Sequence, residues 1–338
     1  MNPEIAQYEA LAKEILRRCM SDEEPEDLFK FVSEMLIRMG AADDSALLTW
    51  EESFDLLDKV IDDYEELAKV PESERKVLLW PWQSWRNLID PLEAGMLAVI
   101  TAPDGQGKTI YAESIAEHWA RHKNKIVFVH YELNRKLVMM RRTARHASVP
   151  VRDMKEGKLT ASQRSTIAEI RPRLMAWDGY ISYLHTPGWT MEKTVSELRR
   201  LVSEQQCDAV VLDYLEKASA SKRQLQMFGT NVYQREADNV EQLKNFSELT
   251  DVPVLMVAQM SKAGKSGKFA EVDRSGMRGA GEKSDKANLV VLLRRERNDE
   301  GYSNEVNVLV DKNTMGQLGS FKQMMQPEYF RVGDIQNA

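Results

Sequence analysis

Residues 101–109 read "TAPDGQGKT" and sit between an apolar run, "MLAVI" (96–100), and a helix-spaced stretch, "IYAESIAEHWARH" (110–122). A strand that turns through glycines into a helix, closing on Gly-Lys-Thr, is a phosphate-binding arrangement. Backbone N–H groups and the helix N-terminus receive phosphate oxygens, the lysine reaches the β/γ-phosphates, and the threonine hydroxyl meets Mg²⁺. The usual spacing, Gly-x-x-x-x-Gly-Lys-Ser/Thr, would put glycine at 102, where this chain has Ala102. An alanine there requires only a negative φ and a small side chain, so the cradle can survive the change. Ala102, Pro103, Asp104, Gly105, Gln106, Gly107, Lys108 and Thr109 are therefore the candidate nucleotide-binding residues.

From about residue 77 the chain alternates short Val/Ile/Leu-rich runs with helical stretches. The runs are "MLAVITA", "KIVFVHYE", "CDAVVLDYLE", "VPVLMVAQM", "LVVLLRRE" and "NEVNVLVDK". Strands apolar on both faces, separated by helices, predict an α/β fold with a mainly parallel sheet. Ligands of such sheets bind at the strands' carboxyl ends. There the chain carries Asp213 after "AVVL", Glu132 after "IVFVHY" and Gln259 after "VPVLMVA". Asp213 suits the Mg²⁺ shell beside Thr109, or merely caps a strand; Glu132 can orient an attacking water, or is a surface glutamate. Gln259 can sense the γ-phosphate, or is a polar strand terminus.

The 338 residues are 43% hydrophobic and 29% charged, as in an ordinary globular chain, with two units as the starting expectation. Neither a membrane-spanning run nor a leader is legible, so no membrane partner is expected. Cys19 and Cys207 make no disulfide framework, which suits a reducing cytoplasm. The net charge of −7 is uneven: residues 1–75 hold 8 basic against 21 acidic side chains, and the remainder is net basic. Helical spacing recurs over 4–20, 26–39 and 51–69, the last with an apolar stripe of Phe54, Leu57, Val60, Ile61, Tyr64 and Leu67. The expected organisation is a small α-helical region over 1–50, a linker helix within 51–76 and an α/β nucleotide-binding domain over 77–338.

The order and spacing of these segments resemble the ATPase domain of the DnaB-family replicative helicases, a hexameric RecA-like P-loop group. Beyond the loop, the resemblance runs through "FVHYELNRKLVMMRRTARHASVP", "EGKLTASQ", "CDAVVLDYLEK", "READNVEQLKNFSELTDVPVLMVAQMSK", "MRGAGEKSDKANLVVLLRRE" and "VLVDKNTMGQLGSF", roughly residues 80–332. That family commonly starts its cradle with alanine. The resemblance implies ATP and Mg²⁺ as cofactors, Lys108 and Thr109 on phosphate and metal, Asp213 as the magnesium-site acid and Glu132 as catalytic base. It makes Gln259 the sensor and Lys312 a lysine reaching a neighbouring subunit's nucleotide. It also implies a homo-oligomer, a hexamer, on single-stranded DNA in a bacterial or phage-infected cell, with a loader or primase as partner.

The departures are specific. The family's arginine finger lies two residues after that lysine, where this chain has Thr314; either Lys312 suffices, Arg294, Arg295 or Arg297 substitutes, or hydrolysis is slow. Lys286 and Asn288 replace an acidic pair before the late strand, and residues 1–75 do not resemble the family's N-terminal domain. Two basic segments, both read as loops, are expected to track a phosphate backbone. Residues 216–235 offer Lys217, Lys222 and Arg223; residues 261–278 offer Lys262, Lys265, Lys268, Arg274 and Arg278, with the single aromatic Phe269. The helix over 51–69 either docks on an adjacent subunit, as in the family, or packs on its own domain. The expected function is an ATP-driven ring helicase. The alternatives are a RecA-like ATPase assembling on DNA as a platform without processive unwinding, and a nucleotide-switched protein–protein module.

Overall fold

A computed structural model describes residues 3–20, 24, 27–28, 30–32, 34–35, 50–71, 74–132, 135–259, 285–298 and 301–335. Helix α1 spans Pro3–Cys19 and α2 spans Trp50–Lys69; a short α3, Gln83–Arg86, follows. Next come β1 (Leu97–Ala102), α4 (Lys108–Arg121), β2 (Ile126–His130), α5 (Arg135–Ala147), α6 (Val151–Glu156), α7 (Ala161–Met175) and β3 (Ile181–His185). The chain continues through α8 (Met191–Ser203), β4 (Ala209–Asp213), α9 (Lys222–Phe228), α10 (Val232–Thr250), β5 (Val254–Gln259) and β6 (Leu289–Arg294). A small ribbon, β7 (Arg297–Asn298) and β8 (Gly301–Tyr302), precedes β9 (Glu305–Asn313), β10 (Gly319–Gln326) and β11 (Arg331–Asp334). Among the described residues, no helix is long and apolar enough to cross a membrane.

Nine strands form one sheet in the order β11-β10-β9-β6-β1-β5-β4-β2-β3. The pairs from β6 across to β3 are parallel, and β9, β10 and β11 extend the β6 edge antiparallel. It is the largely parallel RecA-like P-loop sheet that the sequence predicts. Every residue of β1, β2 and β4 is buried, which is why these strands read as uninterrupted apolar runs. Successive side chains still point to opposite faces. Ala98, Ile100 and Ala102 face α4, whereas Leu97 and Val99 face α8 and α10 through Leu198, Leu243 and Phe246.

On the α4 face lies an aromatic cluster that joins the segment before β1 to the sheet. Trp80, Trp85, Tyr111 and Trp119 are fully buried, and the Trp80 ring centroid lies 5.2 Å from that of Trp85. Their polar edges are satisfied: Trp85 Nε1 donates to Gln323 Oε1 at 3.0 Å, and Trp119 Nε1 to the Leu79 carbonyl at 2.8 Å. Four such rings, each contributing about 1.5–3 kcal/mol by burial, pin "WPWQSW" (80–85) against α4. The helix starts are local sequence chemistry. Thr160 with Gln163, and Ser221 with Gln224, each form a reciprocal capping box at the head of α7 and α9.

Candidate functional site: a nucleotide edge at the strand ends

Strand register assembles the site. Ala102 pairs with Gln259 across β1–β5, and His130 pairs with Asp213 across β2–β4, so the loop, Gln259, Asp213 and the segment carrying Glu132 share one edge. Within the loop, Gly105 (φ 74°) and Gly107 (φ 93°) occupy the left-handed region, and Gly107 caps the N-terminus of α4. A Cβ on Gly107 would also collide with the Met325 thioether. Ala102, in contrast, is the last residue of a buried strand, and no positive φ is asked of it. The departure from the glycine rule is therefore harmless: the two glycines that need their freedom are present.

Lys108 Nζ donates to the carbonyls of Ala102 (2.7 Å) and Pro103 (3.0 Å), folding over the loop it is expected to serve. The Thr109 hydroxyl is hydrogen-bonded to Asp213, which is 5% exposed. Burial raises the Asp213 carboxyl to about 7; the Thr109 hydrogen bond opposes this, the nearby Glu113 adds to it, and the Arg141 and Lys108 cations oppose it. Asp213 Oδ1 is buried without a hydrogen-bond partner. A buried, unsatisfied carboxylate oxygen beside a hydroxyl fits Mg²⁺, which is commonly held by one or two carboxylates together with substrate phosphates and water.

Glu132 lies two residues beyond β2 and is half exposed, with its carboxylate ion-paired to Lys217. Gln259 bridges two segments: its side chain donates to Asp104 in the loop, and its backbone N–H donates to Glu216 Oε1 at 2.8 Å. Glu216 was not singled out from sequence; its position three residues after Asp213 was the available signal.

Lys312 is set apart. It pairs with Val290 near the start of β6, and its Nζ donates to the Asp285 carbonyl at 2.8 Å, away from the loop end of the sheet. Thr314 is exposed in the β9–β10 hairpin. Of the substitute arginines, Arg294 ends β6 and Arg297 opens the ribbon, but Arg295 contacts the loop of its own chain. Lys286 and Asn288 have found partners of their own. Lys286 reaches Glu241 at 2.5 Å, and Asn288 Oδ1 accepts from the Leu97 N–H and Lys244 Nζ, each at 3.0 Å.

The first basic segment, read as a loop, is largely helical because Ser221 and Gln224 cap α9 and Asn231 caps α10. Its cations are engaged internally: Lys217 with Glu132, Lys222 with Glu24 at 2.7 Å, and Arg223 with Glu192 at 3.1 Å and with Asp238. Lys262, Lys265, Lys268, Arg274 and Arg278 lie outside the described residues. Sequence reading also missed a buried ionic cluster beside the site. Glu117 sits between Arg145 (2.8 Å) and His146 (2.6 Å), and Arg145 also pairs with Glu113. Burial works against the Glu117 charge, but the Arg145 cation, the hydrogen bond from His146 and the Arg142 cation outweigh it and hold the carboxyl down at about 2. The cluster ties α4 to α5, and so the helix behind the loop to the helix after Glu132.

Comparison with known proteins is consistent with this geometry. The replicative DNA helicase DnaB of Leifsonia xyli subsp. xyli is 26% identical over 254 residues, covering 74% of this chain and 54% of the relative. That of Geobacillus stearothermophilus is 24% identical over 244 residues, covering 71% and 52%. The chain thus spans about half the length of these relatives. Among solved structures, the ATPase domain of G40P superposes with a TM-score of 0.70 at 17% identity, covering 82% of this chain and 98% of that one. A DnaB-like replicative helicase, whose interactions with primase were described with its structure, gives 0.69 at 15%, covering 92% and 78%. At those identities the superpositions speak for the fold alone. Residues 83–334 match the DnaB-like helicase C terminal domain, and the chain belongs to that family.

Proposed function

We propose that this chain is an ATP-driven, ring-forming DNA helicase that translocates on single-stranded DNA during replication. The observation that carries the reading is the alignment of Lys108, Thr109, Asp213 and Gln259 along one strand-end edge, with Asp213 Oδ1 left unsatisfied. Lys108 exchanges its carbonyl partners for the β/γ-phosphates of ATP. Thr109 and Asp213 are the residues that would hold Mg²⁺, which when bound neutralises phosphate charge. Glu132, once released from Lys217, orients the attacking water. Gln259 relays the state of the loop through Asp104 to Glu216, and so to the segment after Asp213.

The remaining parts act between subunits. Lys312 is directed away from its own loop and serves a neighbour's nucleotide. Helix α2, within the 51–76 linker, docks on an adjacent copy and joins the helical N-terminal region to the ATPase domain at 77–338. Two features support the docking. Phe54, Leu57, Val60, Ile61 and Tyr64 are exposed along α2 amid a strongly acidic surface. A groove of about 600 Å³ between α5 and α7 combines Met139, Ile167 and Leu174 with Arg135, Arg164 and Arg171, complementary in both apolarity and charge. A hexamer, single-stranded DNA along the 261–278 segment, and a loader or primase partner complete the proposal.

The alternative is an ATPase that assembles on DNA as a platform without processive unwinding; Thr314 at the finger position favours it, because no cation is offered there. Steady-state ATP hydrolysis with and without single-stranded DNA, with Lys108→Ala as the blank, tests the motor reading. An unwinding assay on a forked duplex then separates helicase from platform.

A further inference from the structure

A phosphate loop works by presenting backbone N–H groups inward, which requires its carbonyls to be held outward. Part of that work here falls on a residue almost two hundred positions away. Arg295, one residue past β6 and 8% exposed, directs its guanidinium at three backbone carbonyls. Nε donates to Ser303 at 2.6 Å, Nη2 to Tyr302 at 3.2 Å, and Nη1 to Gly105 at 3.5 Å. Its own backbone N–H donates to Oε1 of Gln106, a loop side chain only 3% exposed.

Tyr302 completes the clasp. Its ring lies against Gly105, where an added Cβ would come within 3.2 Å of Cε2, and its hydroxyl donates to the Asp104 carbonyl at 3.5 Å. The Arg295 guanidinium lies 5.7 Å from the centroid of the same ring. Among the described residues, no carboxylate forms an ion pair with Arg295; its charge is met by backbone carbonyls and by the face of the Tyr302 ring. Such a charge is costly until an anion arrives, and a bound polyphosphate is the anion this site is shaped to receive.

We propose that Arg295, braced by Tyr302 and Gln106, is a positioning residue that pre-forms the phosphate loop and sets its affinity for nucleoside polyphosphates. The proposal rests on the ATPase reading above. Arg295 holds the Gly105 carbonyl and the Gln106 side chain before nucleotide binds, and its charge favours the polyphosphate without touching the reacting atoms. Lysine cannot replace it, because a single ammonium does not span three carbonyls.

The test uses the full chain and measures equilibrium binding of fluorescent ATP and ADP, steady-state KM and kcat, and the melting temperature. For Arg295→Gln, the dissociation constants of both nucleotides and KM are expected to rise about tenfold, with kcat changed less than threefold. Arg295→Lys is expected to recover less than half of that loss. Tyr302→Leu, which leaves the guanidinium in place, is expected to raise KM about threefold and covers the case in which Arg295→Gln does not fold. Affinities within twofold of the wild type in the folded variants, or a loss confined to kcat, overturn the proposal. A wild-type chain that binds no ATP overturns the ATPase reading itself, and does so before any variant is made.

Discussion

The Lys217 ammonium is ion-paired with the Glu132 carboxylate, joining the segment after β4 to the segment after β2. The hydrogen bond to Glu132, and then that to the Tyr214 hydroxyl, hold the Lys217 pKa above the usual lysine range. A carboxylate engaged in this way is a weaker acceptor for a water proton. Exposed pairs of this kind are weak, so the restraint is modest and a competing phosphate backbone can release it. Lys217→Met is expected to raise DNA-free ATP turnover about two- to fivefold and to shrink the stimulation by single-stranded DNA. Turnover ratios measured with and without an oligonucleotide check this; an unchanged ratio contradicts it.

The two loop positions separate by backbone conformation. Gly107→Ala puts a Cβ at φ 93° and into Met325, and is expected to reduce ATP affinity at least tenfold. Ala102→Gly restores the usual spacing at a position that needs no glycine. Its affinity is expected within twofold of the wild type, with stability lowered by about 0.5–1 kcal/mol. Isothermal titration with a non-hydrolysable ATP analogue, beside thermal melts, distinguishes the two.

His118 gives the fold a pH dependence. Burial, with His122, Arg86 and Arg121 facing it, pushes its pKa down to about 3, and Arg86 Nη2 lies 3.3 Å from its Nε2. The folded chain thus keeps the ring neutral where an unfolded chain, with a histidine near 6.5, protonates. The stabilisation is complete above about pH 6.5 and is lost as pH falls from there towards 3. His130, lowered to about 4 mainly by burial, acts in the same direction. Between pH 7.5 and 5.5 His118 alone is expected to lower the melting temperature by about 2–4 °C, and His118→Gln to remove that part of the slope. Parallel slopes for wild type and variant in scanning calorimetry contradict it.

Much of this was legible in the sequence, for a physical reason. Strands buried on both faces must be apolar throughout, so β1, β2, β4, β5 and β6 announced themselves, and the loop between β1 and α4 carried its own punctuation. The polar residues at or just after the ends of β2, β4 and β5 followed from there. Position within the strand-end edge was legible; pairing was not. Arg295 and Gln106 are separated by 189 residues and Gln259 and Asp104 by 155, and no local pattern marks either pair. The helical character of 222–228 was written in Ser221 and Gln224, but its basic residues after Asp213 were read as those of a loop. The aromatic cluster around Trp85 could be seen as composition only, since its partners Tyr111 and Gln323 come from distant elements.

Helix α2 supplies a test of assembly. Leu57 and Ile61 lie four residues apart on its exposed apolar stripe. Replacing both by Asp leaves the described core untouched and is expected to shift the chain from ring to monomer in sedimentation velocity with ATP analogue and Mg²⁺. Charge reversal of the groove, Arg164→Glu with Arg171→Glu, is expected to do the same. Wild-type sedimentation of both variants would assign α2 to its own chain.

The most direct measurement is ATP hydrolysis by the wild-type chain, at concentrations where rings form, with and without single-stranded DNA and against Lys108→Ala. A DNA-free rate above the Lys108→Ala blank, rising severalfold with DNA, is the expected result; it makes the loop, Asp213 and Glu132 a working motor site despite Thr314. A wild-type rate equal to that of Lys108→Ala under both conditions would contradict an autonomous motor.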